Sequence, residues 1–237
     1  MECTLAEMLK KERSRYKLSP NVNIDEEIWR LREDSVTWMF DIACYFGLST
    51  IPVSAAVWYF DRLVEKSMVN NFSEASFATL VCLQIALKVY SSVGLPFYVI
   101  QELGRNRFNR YNYKFAENRI LRALDWMVHP PTSRCFLGQF FSMIQVSTTP
   151  LGVYELLFGT ARDLVGMISR SYHSVSYPPS MIALTGLIIS MERIDDKLLP
   201  TWECQDILNN INKITKIQSG DIDIIRQLVE VLEHYNN

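Results

Sequence analysis

The chain has 237 residues, of which 49% are hydrophobic and 21% are charged, and its formal net charge is −2. This composition excludes an intrinsically disordered chain, and the length suits one large domain or two small ones. The small net charge supplies no overall field that would attract nucleic acid or acidic lipid. The five cysteines are odd in number and widely spaced, which argues against disulfides and against a zinc site. Cys44, Cys82 and Cys135 stand among apolar residues, which predicts buried, reduced thiols and a reducing compartment.

No signal peptide or membrane-spanning segment is predicted. Charged and apolar residues alternate at the start of the sequence, which does not suit a signal peptide. Two long uncharged runs, 135–154 and 171–191, are interrupted by polar residues and prolines. Their continuous apolar parts are too short to cross about 30 Å of hydrocarbon. We therefore expect no membrane partner.

The first predicted element is an amphipathic helix within residues 1–18. Leu5, Met8 and Leu9 recur there at helical spacing, with charges between them, and Pro20 ends the pattern. This short apolar stripe either packs onto the chain's own domain or docks on a partner.

Two longer helices follow in the first half of the chain. Asn23 is predicted to cap the first of them, which ends at Gly47 and has acids in its first turn, where they complement the helix dipole. The second opens near Pro52, a residue that suits the first turn of a helix. Its apolar residues are spaced by three and four throughout, which is the strongest helical periodicity in the sequence.

A nearly apolar helix is predicted next, over the uncharged run 75–87. Ser73 can cap this helix and Lys88 ends it. A helix that is apolar all round belongs in the middle of a bundle. A short helix near 98–103 and another over about 113–127 complete the first half.

After the double proline at residues 130–131 the succession of helices starts again. Thr132 can cap a helix rich in phenylalanine, and the third helix of this half, 181–191, is again nearly uncharged. No strand alternation or hairpin signal interrupts the pattern. We predict an all-α protein with two tandem five-helix units, residues 23–131 and 132–237, and an additional N-terminal helical segment, residues 1–22.

No catalytic motif is visible. The sequence has no Gly-rich phosphate loop, no HExxH and no GxSxG. The three histidines, His129, His173 and His234, are far apart and lie at predicted helix ends or loops. Carboxylates fall on polar helix faces or in first turns, where solvation and capping explain them. We predict a protein that is not an enzyme and that holds no metal or cofactor.

One basic segment with interleaved aromatics runs from Arg105 to Lys114. Such a segment can contact phosphates and stack bases. On a chain of negative net charge, a solvated loop between helices explains it better. We keep a helical nucleic-acid-binding protein as an alternative, but predict no nucleic-acid partner.

Several short segments of the first half, taken together, resemble the cyclin box. In chain order they are Leu31-Arg32 with Trp38-Met39, Trp58-Tyr59-Phe60-Asp61-Arg62-Leu63, Ala86-Leu87-Lys88, Glu117, and the ending Leu121 to Thr132. The cell-cycle cyclins of D-type or A/B-type are the most similar. Tyr177 to Ala183 resembles the start of the third helix of a second cyclin box. The resemblance implies the cyclin fold.

The resemblance also implies a regulatory subunit of a cyclin-dependent protein kinase. The family's kinase-contacting Lys and Glu match Lys88 and Glu117. The apolar residues around this pair would be Val89, Leu121, Trp126 and Val128. An internal salt bridge that only ties two helices together is the alternative. We favour the interface role, since a purely structural pair could be replaced by apolar residues at little cost.

A substrate-docking patch of the family, which binds Arg-x-Leu motifs, would map to Leu31, Arg32, Ser35, Trp38 and Ser76. In this chain Asp34, Ser35 and Ser76 stand where the family has apolar or amide residues. We therefore expect such a motif to bind poorly, and we favour a core position for Trp38.

Two further assignments follow from the resemblance and from spacing. Arg32 and Asp61 would form the family's internal ion pair, which fixes two helices of the first box. Arg15, Leu18 and Asn23 fall at the spacing of a destruction-box degron, although the same residues suit a helix end and a cap.

The sequence thus predicts a subunit that binds and activates a cyclin-dependent serine/threonine protein kinase and so controls cell-cycle progression. Its expected partners are the kinase catalytic subunit and substrates or inhibitors of the complex, in nucleus and cytoplasm. The first alternative is a cyclin-fold adaptor that binds other proteins or transcription machinery without activating a kinase. Such an adaptor would not need the pair formed by Lys88 and Glu117.

Overall fold

The computed structural model describes residues 4–18, 25–91, 94–144, 151–217 and 219–236, and within them the regular structure is helical, as predicted. The chain forms two compact units. The first unit is Leu18–Pro130, and the second unit is Pro131–Asn237 together with Met1–Lys17. The first helix, α1 (Leu5–Arg13), therefore belongs with the C-terminal half, whereas the sequence treated residues 1–22 as a separate segment.

The described part of the first unit contains five helices. They are α2 (Glu26–Tyr45), α3 (Thr50–Glu65), α4 (Phe72–Ser91), α5 (Phe97–Leu103) and α6 (Arg110–Ala123). The uncharged run forms the middle of α4, and this helix packs against α2, α3 and α6. The prediction that the third helix lies at the centre of its unit is confirmed.

Two helix starts differ from the prediction. Asp25 caps α2, since its carboxylate accepts a hydrogen bond from an amide of the first turn; Asn23 lies outside the described residues. Similarly, α4 begins before Ser73, because the Asn71 side chain accepts the first-turn amide bond. In both cases the sequence offered several capping side chains within a few residues, and only packing selects one of them.

Among the described helices, only α4 is long and apolar enough to span a membrane. More than half of its apolar window is buried inside the first unit. A core helix of a bundle shows this combination, because neighbouring helices cover most of its apolar side chains.

The cysteines in the described residues form no disulfide. Cys82 is buried in α4, and burial raises the pKa of its thiol, which keeps it protonated. Cys135 is half-buried, but Cys44 is exposed, so the prediction of a buried thiol there is wrong. Cys44 lies in the last turn of α2, where the helix leaves the core.

The second unit repeats the arrangement of five helices within its described residues. They are α7 (Ser133–Ser142), α8 (Leu151–Arg170), α9 (Pro179–Glu192), α10 (Thr201–Thr215) and α11 (Ser219–Asn236), with a short 3₁₀ turn, Tyr172–Ser176, before α9. Thr132 caps α7 as predicted. The central helix α9 packs closely on α8, because a Cβ at Gly186 would lie only 2.8 Å from the Val165 side chain.

Helix α1 docks on the second unit. Leu5, Met8 and Leu9 are buried in the same core as the apolar residues of α7 to α11. The buried Glu12 carboxylate accepts hydrogen bonds from the Ser180 amide (2.7 Å) and hydroxyl (2.8 Å), at the start of α9. Burial raises the pKa of Glu12, opposed by these two hydrogen bonds. The apolar stripe of α1 therefore packs onto its own chain.

Candidate protein-interaction site

Lys88 and Glu117 come together as an ion pair on the surface of the first unit. Lys88 lies in the last turn of α4, Glu117 lies in the middle of α6, and their side chains form a salt bridge. The Lys88 side chain is 45% exposed and that of Glu117 is 19% exposed. A partner's backbone groups can therefore reach the remaining hydrogen-bonding positions of both charges.

The base of this pair is formed by Tyr113. The Lys88 ammonium lies 5.6 Å from the centre of the Tyr113 ring, which gives a cation–π contact. Burial raises the pKa of the Tyr113 phenol, and the neighbouring Glu117 carboxylate raises it further, so the phenol stays neutral. On this side the Lys88 ammonium therefore contacts an uncharged aromatic ring and not solvent.

The four apolar residues that the resemblance assigns to this surface are all at least partly exposed. Val89, Leu121 and Val128 are half-buried, and Trp126 is 64% exposed. We call these four residues together with Lys88 and Glu117 the Lys88 surface. It combines two polar anchors with an exposed aromatic side chain, which is the composition of interaction hot spots.

The end of α6 has an unusual backbone. Asp125 and Trp126 both have positive φ, +51° and +58°, so α6 ends at Ala123 and not near Met127 as predicted. Side chains with a Cβ adopt this conformation at a cost of about 1–3 kcal/mol each, and it persists only where the surroundings hold it. The turn projects Trp126 into solvent.

Two residues that sequence reasoning missed hold this turn. The Lys66 ammonium donates to the Ala123 carbonyl and pairs with Asp125. The Tyr59 hydroxyl donates to the Val128 carbonyl at 2.6 Å. The sequence shows Tyr59 on α3 and Lys66 just after that helix. Neither residue type indicates which backbone carbonyl its side chain will contact.

Arg32 and Asp61 are brought together in the interior of the first unit. Arg32 Nε and Nη2 donate to the two Asp61 oxygens at 2.9 and 3.1 Å, so the pair is bidentate. Both side chains are buried, which links α2 to α3. Arg32 therefore does not line the surface patch to which the resemblance assigned it.

The other residues of that patch line one cleft. Leu31, Ser35, Trp38 and Ser76 border a cavity of about 450 Å³ between α2, α4 and the segment after α5, and we call it the Trp38 cleft. Trp38 is half-buried and borders the cleft, so its expected core position is wrong. Asp34, Glu74, Arg105 and Arg107 also line the cleft, so its mainly apolar wall carries charges of both signs.

The remaining sequence candidates do not converge. Arg15 and Leu18 follow α1 without regular structure, and Asn23 lies outside the described residues, so the degron stays a prediction. In the part of the chain that the structure describes, no three His, Cys, Asp or Glu side chains are placed to hold a metal ion.

Comparison with known proteins identifies the family. The family model described as cyclin, N-terminal domain, matches residues 4–129, more than half of the chain. Cyclin-D3-3 of Arabidopsis thaliana is 25% identical over 174 residues, and Cyclin-A1-2 of Oryza sativa subsp. japonica is 26% identical over 164 residues. These matches cover 71% and 68% of this chain but 46% and 33% of the two relatives. The chain belongs to the cyclin family.

A solved structure supports the fold over nearly the whole chain. The X-ray structure of a viral cyclin from herpesvirus saimiri superposes with a TM-score of 0.73, at 19% identity, and covers 95% of this chain and 96% of that chain. The predicted cyclin fold is therefore confirmed.

Proposed function

We propose that this protein binds and activates a cyclin-dependent serine/threonine protein kinase. Membership of the cyclin family supports a kinase-regulating role, and we assign the contact with the kinase to the Lys88 surface. The protein contributes no reacting group. It holds the kinase's regulatory helix in the position in which the kinase's own Lys–Glu pair and metal site assemble, so that activation is a shift between conformations.

The observation that carries the proposal is the exposed ion pair formed by Lys88 and Glu117. An exposed salt bridge contributes only about 0–1 kcal/mol to stability. The attachment of α4 to α6 therefore does not explain why a salt bridge occurs at this position. A partner that covers the pair removes it from water, and each charge then needs hydrogen bonds from that partner. The exposed Trp126, which the resemblance assigns to the same surface, would gain contact area in the same step.

Truncating either charge tests this function. Lys88→Ala or Glu117→Ala is expected to weaken kinase binding by about 2–5 kcal/mol, because the other charge stays buried in the complex without its partner. The measurement is a pull-down from extract of the native cells, followed by titration of the recovered kinase and an assay of its activity on a peptide substrate.

The matched control is Arg30→Ala, which breaks an exposed salt bridge to Glu26 on α2. It is expected to leave kinase binding unchanged. Wild-type affinity in both Lys88→Ala and Glu117→Ala would contradict the proposal. Binding without a rise in kinase activity would instead identify an adaptor, the alternative function.

The proposal extends to substrates and location. The Trp38 cleft is the candidate substrate-docking site. Asp34, Ser35 and Ser76 stand there in place of the family's apolar or amide residues and offer less apolar surface to the leucine of an Arg-x-Leu motif, so we expect such a motif to bind poorly. A complex of this kind would act in nucleus and cytoplasm. Imaging of the tagged protein through the cell cycle tests the location, and confinement to one compartment would contradict it.

A further inference from the structure

The first unit has a second apolar cleft, on another side of α6. Its volume is about 480 Å³, within the range of ligand-binding pockets. The walls come from the end of α3, the first half of α4 and the length of α6. Its apolar lining includes Leu63, Met68, Phe77, Phe115, Ala116 and Ile120, and we call it the Phe115 cleft.

Large aromatic side chains stand exposed at the rim of this cleft. Phe115 is 65% exposed and Tyr111, one helical turn earlier, is 79% exposed. Folded proteins rarely leave neighbouring large apolar side chains in water beside an apolar concave surface unless a partner covers them. The Phe115 cleft therefore has the shape and composition of a docking groove.

The face of α6 beside the cleft carries two exposed cations. They are Arg119, which lines the cleft, and Arg122, three residues further along the helix. Within the described residues, neither of them forms a salt bridge with an acid. One acid, Glu74, also lines the cleft, and its carboxylate accepts hydrogen bonds from Asn70. On a chain whose net charge is −2, this local excess attracts an anionic partner.

The cleft is separate from the Lys88 surface. Successive residues of a helix are about 100° apart around its axis. Phe115 and Arg119 are each two residues from Glu117, so they point about 160° away from it around α6. A partner in the Phe115 cleft and a kinase on the Lys88 surface can therefore be bound together.

We propose that the Phe115 cleft binds an acidic amphipathic segment of another protein. Apolar side chains of that segment fill the cleft, and its carboxylates pair with Arg119, which lines the cleft, and with Arg122 one turn further along α6. Nucleic acid suits the site less well, because the buried lining residues Leu63 and Ile120 are aliphatic and offer bases no stacking surface. The proposal goes beyond kinase activation, since it concerns a different face of α6.

The experiment is a selection of random short peptides displayed on phage against the whole purified protein. We expect enriched peptides that combine several apolar residues with a net negative charge. Measured by fluorescence anisotropy, their affinity is expected to fall at least about 10-fold in Arg119→Glu and in Phe115→Ala. Circular dichroism confirms that both variants remain folded, and Phe115→Ala keeps the surface charge unchanged.

Lys114→Glu is the matched control, because it makes the same charge reversal one residue from Phe115 but on the side of α6 that carries Glu117. It is expected to retain at least half of the wild-type affinity, as is Lys88→Ala. Failure to enrich acidic peptides, or equal losses in Lys114→Glu and Arg119→Glu, would overturn the proposal. Binding of oligothymidylate that Arg119→Glu abolishes would assign the site to nucleic acid. Self-association abolished by the same substitution would assign it to a second copy of this chain.

Discussion

Arg32 and Asp61 show how a charge is kept inside a bundle of apolar helices. Their bidentate hydrogen bonds satisfy both carboxylate oxygens in the interior of the first unit. We expect Asp61→Asn to lower the free energy of unfolding by about 3–5 kcal/mol, because the buried guanidinium loses its counter-charge. Urea titration followed by circular dichroism measures this change.

The surface substitution Glu26→Gln, which disrupts the exposed pair with Arg30, is the control for that measurement. It is expected to change stability by less than about 1 kcal/mol. Replacing both buried charges, with Arg32→Met and Asp61→Leu, is expected to recover most of the loss. A double variant as unstable as Asp61→Asn would show that the ion pair itself, and not the isolated charge, determines the effect.

Glu12 gives the second unit a pH-dependent stability. Burial is the main cause that raises the pKa of its carboxyl above the ordinary value of 4.5. The folded state therefore holds the proton more tightly than the unfolded state. The proton-linked part of the stability that Glu12 contributes is fully present below about pH 4.5 and is lost as pH rises through the raised pKa.

The comparison of wild type with Glu12→Ala isolates this contribution. At every pH the variant is expected to be less stable by about 1–3 kcal/mol, because the Ser180 amide and hydroxyl lose their acceptor. The difference in unfolding free energy should widen as pH is lowered from 7 to 5. A difference that narrows on acidification would show that the Ser180 hydrogen bonds, which favour the charged form, outweigh burial.

At the scale of the element, the end of α6 depends on α3. The Lys66 ammonium, just after α3, contacts the Ala123 carbonyl and Asp125, where the backbone turns left-handed to expose Trp126. We expect Lys66→Met to speed hydrogen exchange of the Trp126 and Met127 amides by about 2- to 10-fold, since one hydrogen bond contributes about 0.5–1.5 kcal/mol. Mass spectrometry of deuterated fragments measures the rates.

The control for this exchange experiment is Lys213→Met on α10, where the ammonium contacts only the neighbouring Asn210 among the described contacts. Exchange at Trp126 should be unaffected by it. Unchanged protection of these amides in Lys66→Met would mean that the Tyr59 hydroxyl alone holds the turn.

Elements were easier to predict from the sequence than contacts. The apolar spacing in α3 and the uncharged runs in α4 and α9 fixed helix type and the central place of the third helix, because burial depends directly on periodicity. The left-handed turn at Trp126 was missed, because Trp rarely adopts positive φ and a single Asp before it is only a weak signal for such a turn. Trp38 was expected in the core because an aromatic residue that lines a cleft has the same sequence pattern as a buried one.

At the scale of the whole molecule, the sequence predicted two tandem units but not how the N-terminal helix is used. The apolar stripe formed by Leu5, Met8 and Leu9 predicted a helix that docks on another surface, but it did not indicate which surface. The identity of that partner depends on contacts far apart in the chain, such as Glu12 with Ser180, which local periodicity does not contain. Local periodicity likewise does not show that Lys88 and Glu117 are paired, and only the family resemblance linked these two residues.

The position of α1 also has a consequence for the synthesis of the chain. The Arg13 guanidinium donates to the carbonyl of Thr215, a separation of 202 residues. At roughly 5–20 residues per second, the ribosome needs about 10–40 s to produce that interval. During this time α1 has left the ribosome while α10 does not yet exist, so its apolar stripe is open to chaperones. Premature termination before α10 would leave the stripe without part of its docking surface.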